Sequence, residues 1–210
     1  MEKIVKGSLV VLDYSGWTNG ELFDTTIKEV AEKNNFKLDK PGPVTIVIGK
    51  EMILRGIEEF LKGKSIGSYK VKLPPEKAFG EKNPGLVTII QEKKFKEQGI
   101  NPYPGLVVQV DGHIGRIKSV GSGRVIVDFN HPLAGLEVEY ELNVREVINE
   151  PLEKVKRLLE EFNIKQERIE EKEGKISVYI KDKKEEELKQ IEKALRELLD
   201  IEIVVKSSEN

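Results

Sequence analysis

Hydrophobic and polar positions in the first 150 residues alternate mainly with the two-residue period of strands. Residues 8–14, 44–48 and 69–73 alternate or run apolar between Gly and Pro, and each predicts a strand. One stretch breaks that period. Ile53, Ile57, Phe60 and Leu61 fall on one helical face and Gly63 supplies a stop, which predicts a helix over 51–62. A second, short helix is expected over 28–34, ahead of Pro41-Gly42-Pro43. After Phe79-Gly80 the texture changes. A strand (87–90), a short helix (92–98) and a strand pair (107–110, 114–120) mark 85–125 as a module of its own inside a β-rich domain. Gly121 and Gly123 fit a hairpin turn within it.

From Pro151 onward the chain becomes charge-dense, with 14 basic and 16 acidic residues. Its apolar positions remain periodic, which argues against a solvated tail. Leu152, Val155, Leu158, Leu159 and Phe162 predict a helix started by Pro151, and Leu188, Ile191, Leu195, Leu198 and Leu199 predict a second. Ile176, Val178 and Ile180 alternate after a Glu173-Gly174 turn, and 201–205 forms another strand. A domain of about sixty residues is marginal alone. Val204 beside Val205 asks for burial on both faces of the sheet. A second copy of the chain could provide it, as a homodimer through 151–210, and that is the favoured expectation. Docking onto the first domain of the same chain competes with it.

Composition narrows the function classes. Of the 210 residues, 38% are hydrophobic and 34% charged, enough apolar content for packed cores. No apolar run approaches the roughly 18 residues of a membrane span, so no membrane partner is expected. The absence of cysteine excludes disulfides and thiol chemistry. The net charge of −2 implies no general attraction to nucleic acid. The opening residues lack the apolar stretch of a secretory signal, so a cytoplasmic protein is expected. His113 and His131 stand alone and far apart, and Glu137, Glu139 and Glu141 fit a solvated strand face, so neither metal nor cofactor is expected. Nucleophile elbows, phosphate loops and dinucleotide fingerprints are missing as well.

Four separated motifs carry more information. Val11-Leu-Asp-Tyr-Ser-Gly-Trp-Thr-Asn-Gly-Glu-Leu-Phe-Asp-Thr-Thr26 sets an aromatic hydroxyl, aromatic rings and a carboxylate near a tight turn. Ile48-Gly-Lys-Glu-Met-Ile-Leu-Arg-Gly-Ile-Glu-Glu59, Pro74-Pro-Glu-Lys-Ala-Phe-Gly80 and Asn130-His-Pro-Leu-Ala-Gly135 follow in order. Over 1–150 the chain resembles the FKBP-type peptidyl-prolyl cis-trans isomerases, and in particular the SlyD-like branch, where a chaperone module interrupts the isomerase domain. The resemblance implies an α+β fold: an antiparallel sheet wrapped on a short helix, built from 1–84 and 126–150. It further implies an inserted small β-rich module over 85–125, and the C-terminal α+β domain at 151–210 lies beyond its reach.

The same resemblance implies site residues. Tyr14, Phe23 and Asp24 match the family's prolyl-site tyrosine, phenylalanine and aspartate, and Phe79 and Tyr140 match further aromatic walls. Ile53 and Leu54 match the pair whose backbone holds the substrate chain. Ile57 stands where many members have a tryptophan floor, and Val44 where some carry an aromatic, which weakens the expectation of tight macrolide binding. The tail lacks the His- and Cys-rich extension of some SlyD proteins, so nickel handling is not implied. The chemistry suits these residue types. Rotation about X–Pro faces a barrier of about 18–20 kcal/mol, and a dry aromatic site disfavours the less polar twisted amide less than water does. A ten-thousand-fold acceleration needs about 5.5 kcal/mol of differential stabilisation and no nucleophile.

For 85–125 the resemblance implies a surface that grips unfolded or proline-containing polypeptides. Leu86, Ile89, Ile90, Phe95 and Tyr103 are its candidates, with Ile100 and Leu106 beside them. The strand pattern alone allows an alternative, a small RNA- or ribosome-binding β-barrel. Six basic against three acidic residues give that stretch only a modest attraction for phosphate, and nucleic acid is not the expected partner.

Overall fold

The structure is a computed structural model that describes residues 2–208. It divides into two compact units, one holding the chain up to Leu73 and from Val138 onward, the other Pro74–Glu137. In chain order the first unit begins with β1 (Leu9–Thr18), β2 (Glu21–Thr25), α1 (Lys28–Lys33), β3 (Val44–Val47), α2 (Arg55–Leu61) and β4 (Gly67–Leu73). The second contains β5 (Val87–Gln91), α3 (Glu92–Glu97), β6 (Val107–Val110), β7 (His113–Gly121) and β8 (Arg124–Asp128). The chain then returns to the first unit with β9 (Val138–Ile148), α4 (Pro151–Glu161), β10 (Arg168–Lys172), β11 (Lys175–Ile180), α5 (Glu185–Leu199) and β12 (Ile203–Ser207).

Strand β1 is the spine. It pairs antiparallel with β9 on one side and with β2 and then β3 on the other, and β4 extends the sheet beyond β9. Leu9, Val10, Val11 and Leu12 are all buried, the mark of a strand covered on both faces. Helix α2 is shorter than the pattern predicts. Glu51 takes a left-handed conformation and Leu54 an extended one, so the helix starts only at Arg55. Its Ile57 and Leu61 are fully buried, and Phe60 meets Tyr69 of β4 edge-on at 6.2 Å. The outer carboxylate stripe is a charge ladder, in which Glu139 and Glu141 of β9 pair with Lys72 and Lys70 directly opposite on β4.

The inserted module is a four-stranded antiparallel sheet in the order β5-β8-β7-β6. Phe95 of α3 packs on Val108, Ile117, Val125 and Val127 as its core. The sheet extends past the expected boundary at 125, because β8 is the partner of β5 and belongs to the module rather than to the first domain. Ser122 and Gly123, both at positive φ, make the β7–β8 turn. At the base of the module Asn83 N–H donates to Asn130 Oδ1 at 2.8 Å, and Asn130 Nδ2 returns a bond to the Asn83 carbonyl at 3.0 Å.

In the C-terminal region β11 lies between β10 and β12. It pairs antiparallel with β10 across the Glu173-Gly174 turn and parallel with β12, with α5 as the crossover. Charged β10 carries too little apolar pattern to have been placed from sequence. Val155, Leu158 and Leu159 of α4 and Leu188, Leu195 and Leu199 of α5 cover Ile176, Val178, Ile180, Ile203 and Val205. Leu9 and Val11 of β1 and Val47 of β3 belong to this same core. Polar ties reinforce it: Lys154 Nζ donates to the Gly7 carbonyl at 2.6 Å, and Thr45 Oγ1 to Glu161 Oε2 at 2.9 Å. Docking within the chain therefore covers the inner face of this sheet. The outer edge of β12 is capped as well. Arg196 Nε donates to the Ile203 carbonyl at 2.6 Å, and Val205 N–H donates to Glu192 Oε2 at 2.9 Å, which blocks further strand pairing there.

Candidate active site

The register of β1 places Gly16 opposite Asp24 of β2 on one side and Tyr140 of β9 on the other. Tyr14, two residues earlier, shares that face. Between Gly16 and Trp17 the pairing slips, so Gly16 faces Asp24 while Trp17 faces Leu22, and Phe23 is the extra residue of a β-bulge. On a regular strand Phe23 and Asp24 would point to opposite faces. The bulge brings both to one cluster. The Phe23 ring meets Tyr140 edge-on at 5.6 Å, Tyr140 lies 5.9 Å from Tyr14, and the Tyr14 hydroxyl donates to Asp24 Oδ2 at 2.9 Å. The strand after Asp24 is held in turn. The Tyr14 carbonyl accepts from Thr26 N–H and from Thr25 Oγ1, both at 3.0 Å, and Tyr14 N–H donates to Thr26 Oγ1 at 3.0 Å.

Gly16 is a member of this cluster that the sequence pattern did not single out. A Cβ at this position would lie 2.7 Å from Phe23 Cζ and 2.9 Å from Tyr140 Cε1, far inside contact distance. The available signal was a glycine in the middle of a strand, which marks close approach of other atoms to the backbone. The electrostatics of the cluster follow from its burial. Desolvation, then the charge of Asp24, then its hydrogen bond hold the Tyr14 hydroxyl well above the ordinary phenol range. Tyr140 is only 3% exposed and shifts the same way, from burial first and then from Asp24 and Tyr14.

The other expected residues are distributed more widely. Ile53 and Leu54 are half-buried at the start of α2, where the Leu54 carbonyl accepts from Ile57 N–H at 2.9 Å. Ile57 is fully buried, so it supports α2 from within the core instead of offering an open floor. Phe79 belongs to the second unit, where its ring stacks flat on His131 at 4.6 Å. His131 Nδ1 accepts from Leu133 N–H at 3.1 Å, which shapes the loop that carries the stack.

Within the module, a groove of about 990 Å³ runs over Leu86, Ile89 and Ile114, with Phe95 and Phe129 among its lining residues. Ile89 is 61% exposed, Ile114 71% and Leu86 43%. Phe95 and Ile90 depart from the expected surface: Phe95 is buried in the module core and Ile90 packs against it, as do Ile100 and Leu106. A small module needs those side chains for its own stability. Tyr103 is exposed but is not part of the groove lining. Ile114 was not singled out from sequence, because strict strand alternation does not say which face another layer will cover.

Comparison with known proteins bears on this arrangement. A family model described as FKBP-type peptidyl-prolyl cis-trans isomerase matches residues 1–102, and one described as FKBP26, IF domain matches 88–133. The chain is 33% identical over 147 residues to the short-type peptidyl-prolyl cis-trans isomerase of Methanocaldococcus jannaschii, covering 69% of this chain and 94% of that protein. It is 31% identical over 133 residues to the FKBP-type 16 kDa peptidyl-prolyl cis-trans isomerase of Escherichia coli, covering 60% and 85%. This chain belongs to the FKBP-type peptidyl-prolyl cis-trans isomerases. A further relative is the SlyD isomerase of Aeromonas hydrophila, 28% identical over 149 residues, of which the chain covers 65%. The two family models leave 151–210 unmatched. No helix among the described residues is long and apolar enough to cross a membrane.

Two outcomes are expected from the geometry of this isomerase. Gly16→Ala forces Phe23 and Tyr140 apart, so it should lower peptide isomerisation several-fold and cost about 1–3 kcal/mol of stability, the usual price of overpacking. An unchanged rate in a refolding-competent variant would show that the ring arrangement is irrelevant to turnover. The raised phenol values make protonated Tyr14 and Tyr140 part of the folded state. Their contribution to stability is whole below the unfolded phenol value of about 10 and is lost as pH rises beyond it. Urea midpoints compared at pH 8 and pH 11 should therefore fall less in Tyr14→Phe than in the wild type.

Proposed function

We propose that Tyr14, Phe23, Asp24 and Tyr140 form the apolar site in which this isomerase turns X–Pro bonds. The observation that carries this reading is the Tyr14–Asp24 hydrogen bond inside a ring cluster packed around Gly16. The family resemblance adds the backbone of Ile53 and Leu54 as the anchor for the substrate chain. The planar amide is stabilised by resonance and by water around its dipole, and the twisted form loses most of that polarity. Rings that exclude water therefore favour the twisted form relative to the planar one, which is where catalysis must act. With its proton committed to Asp24, the Tyr14 hydroxyl fixes the carboxylate, and the carboxylate acts on the distorted carbonyl carbon by orientation and charge. No bond to the substrate is made or broken, so the reaction asks only for placement.

The module supplies the second half of the function. Its exposed Leu86, Ile89 and Ile114 border an open groove that suits apolar side chains of an unfolded polypeptide. Capture there raises the local concentration of prolines at the isomerase site. After removal of metals by chelation, the protein should isomerise a short proline peptide, and Asp24→Ala should slow it several-fold with the fold intact. Replacement of residues 84–129 by a short turn between Asn83 and Asn130 removes the whole sheet, β8 included. That form should keep most of the peptide activity and lose most of its ability to refold a proline-limited protein. Absence of any rate above background would end the active-site proposal. Full refolding activity without the module would end the capture role, and tight binding of structured RNA at physiological salt would redirect it.

A second copy of the chain is the proposed partner of 151–210. Ile203 and Val205 are used up in the shared core, while Val204 and Tyr179 remain half-exposed on the outer face of the same sheet. Light scattering should give about twice the chain mass of 23.8 kDa and should fall to one chain mass when Val204 and Tyr179 are both replaced by Lys. A wild-type mass of one chain at micromolar concentration removes the dimer.

A further inference from the structure

The loop between β3 and α2 ends in Ile53 and Leu54, the pair assigned above to the substrate backbone, and the inference below rests on that assignment. This loop is held from two directions. On the isomerase side, Gly49 N–H donates to Oε2 of the buried Glu58 at 2.7 Å, and Val47 N–H donates to Met52 Sδ at 3.3 Å. On the other side stands the C-terminal region. Lys50 Nζ donates to Asp200 Oδ1 at 2.7 Å, and the Lys50 side chain is only 23% exposed although it lies on a loop. Asp200 is itself fixed. It caps α5 in the left-handed conformation, with φ 54°, and its N–H donates to the Arg196 carbonyl at 3.0 Å. The start of the same segment is tied to α4 through Thr45 and Glu161, and Val47 is sunk into the shared core.

A loop that must present backbone to a ligand binds better when its order is established beforehand, because the ordering entropy is then not charged to binding. We propose that Asp200 is a positioning residue of the isomerase: through Lys50 it fixes the loop that presents Ile53 and Leu54, and residues 151–210 thereby serve catalysis as well as stability. Asp200 touches neither the ring cluster nor the substrate, so its loss acts on binding and leaves bond rotation unaffected. The kinetic signature is a higher KM at constant kcat.

The test is a double-mutant cycle in the full chain, with a proline-containing tetrapeptide as substrate. Asp200→Asn removes the charge and keeps a residue that tolerates the left-handed cap. Lys50→Met keeps the apolar stem and removes the ammonium, and Lys50→Arg keeps the charge. Asp200→Asn and Lys50→Met should each lower kcat/KM about threefold through KM, a factor equal to about 0.65 kcal/mol and within the range for surface pairs. The double variant should lose no more than either single one, and Lys50→Arg should match the wild type. Hydrogen exchange of the amides at 49–54 should quicken in both single variants while that of β1 stays constant. Wild-type kinetics in Asp200→Asn, or losses that add in the double variant, would overturn the proposal. A wild-type protein without isomerase activity would instead remove the site on which it rests, and unchanged exchange at 49–54 would still remove the clamp.

Discussion

The empty space above the Cα of Gly16 is what the geometry of the ring cluster depends on. Three strands meet there: β1 contributes the glycine, β2 brings Phe23 and Asp24, and β9 brings Tyr140. Ring atoms occupy the volume that any side chain at position 16 would need. The bulge at Phe23 is the matching device. It turns two adjacent residues toward one cluster, which a regular two-residue period forbids. Each feature needs the other, since the bulge delivers the ring and the glycine admits it. A sheet pinned on both edges of β1 then keeps the arrangement rigid.

Strand β1 also explains why the C-terminal region belongs to the same compact unit. Val10 and Leu12 lie on one face of the strand, and Leu9 and Val11 face the core shared with α4, α5, β11 and β12. About sixty residues could not bury enough apolar surface alone, and the isomerase sheet would otherwise expose Leu9, Val11 and Val47. Each half removes the other's exposed face. The shared core and the ring cluster are then linked through one strand, because Tyr14 and Gly16 lie only a few residues beyond the core. The Lys50–Asp200 ion pair also ties the C-terminal region to the loop before α2.

Much of this was legible in the chain. Strand positions near 8–14, 44–48 and 69–73 follow from alternation, and α4 and α5 from helical spacing with Pro151 at the first turn. The ordered motifs single out Tyr14 and Asp24, and the structure joins them by a hydrogen bond. What sequence could not supply was anything decided by a partner strand. The bulge exists only relative to β1, and the value of Gly16 only relative to the two rings. β8 looks the same whether it joins the first sheet or the module, and its pairing with β5 decides between them. Phe95 and Ile89 are both apolar residues of one short segment, yet α3 turns Phe95 into the core while β5 leaves Ile89 outside. Val204 beside Val205 predicts burial on both faces, but Val205 alone is buried, under cover from the same chain, while Val204 stays half-exposed.

The distribution of charge completes the physical picture. A chain with so many ionisable groups places almost none of them in the ring cluster. Glu139 and Glu141 are engaged by lysines on the outer sheet face, and buried Asp13 is held by Arg145. Asp24 is the carboxylate within reach of the rings, and the Tyr14 hydroxyl holds it. Burial next to that carboxylate keeps both phenols protonated across the neutral range. In the proposed site, a mobile or unpaired charge would draw in water, which stabilises the planar amide more than the twisted one. Excluding it asks for fixed dipoles and tight rings, and both are set by one absent side chain and one extra residue on adjacent strands.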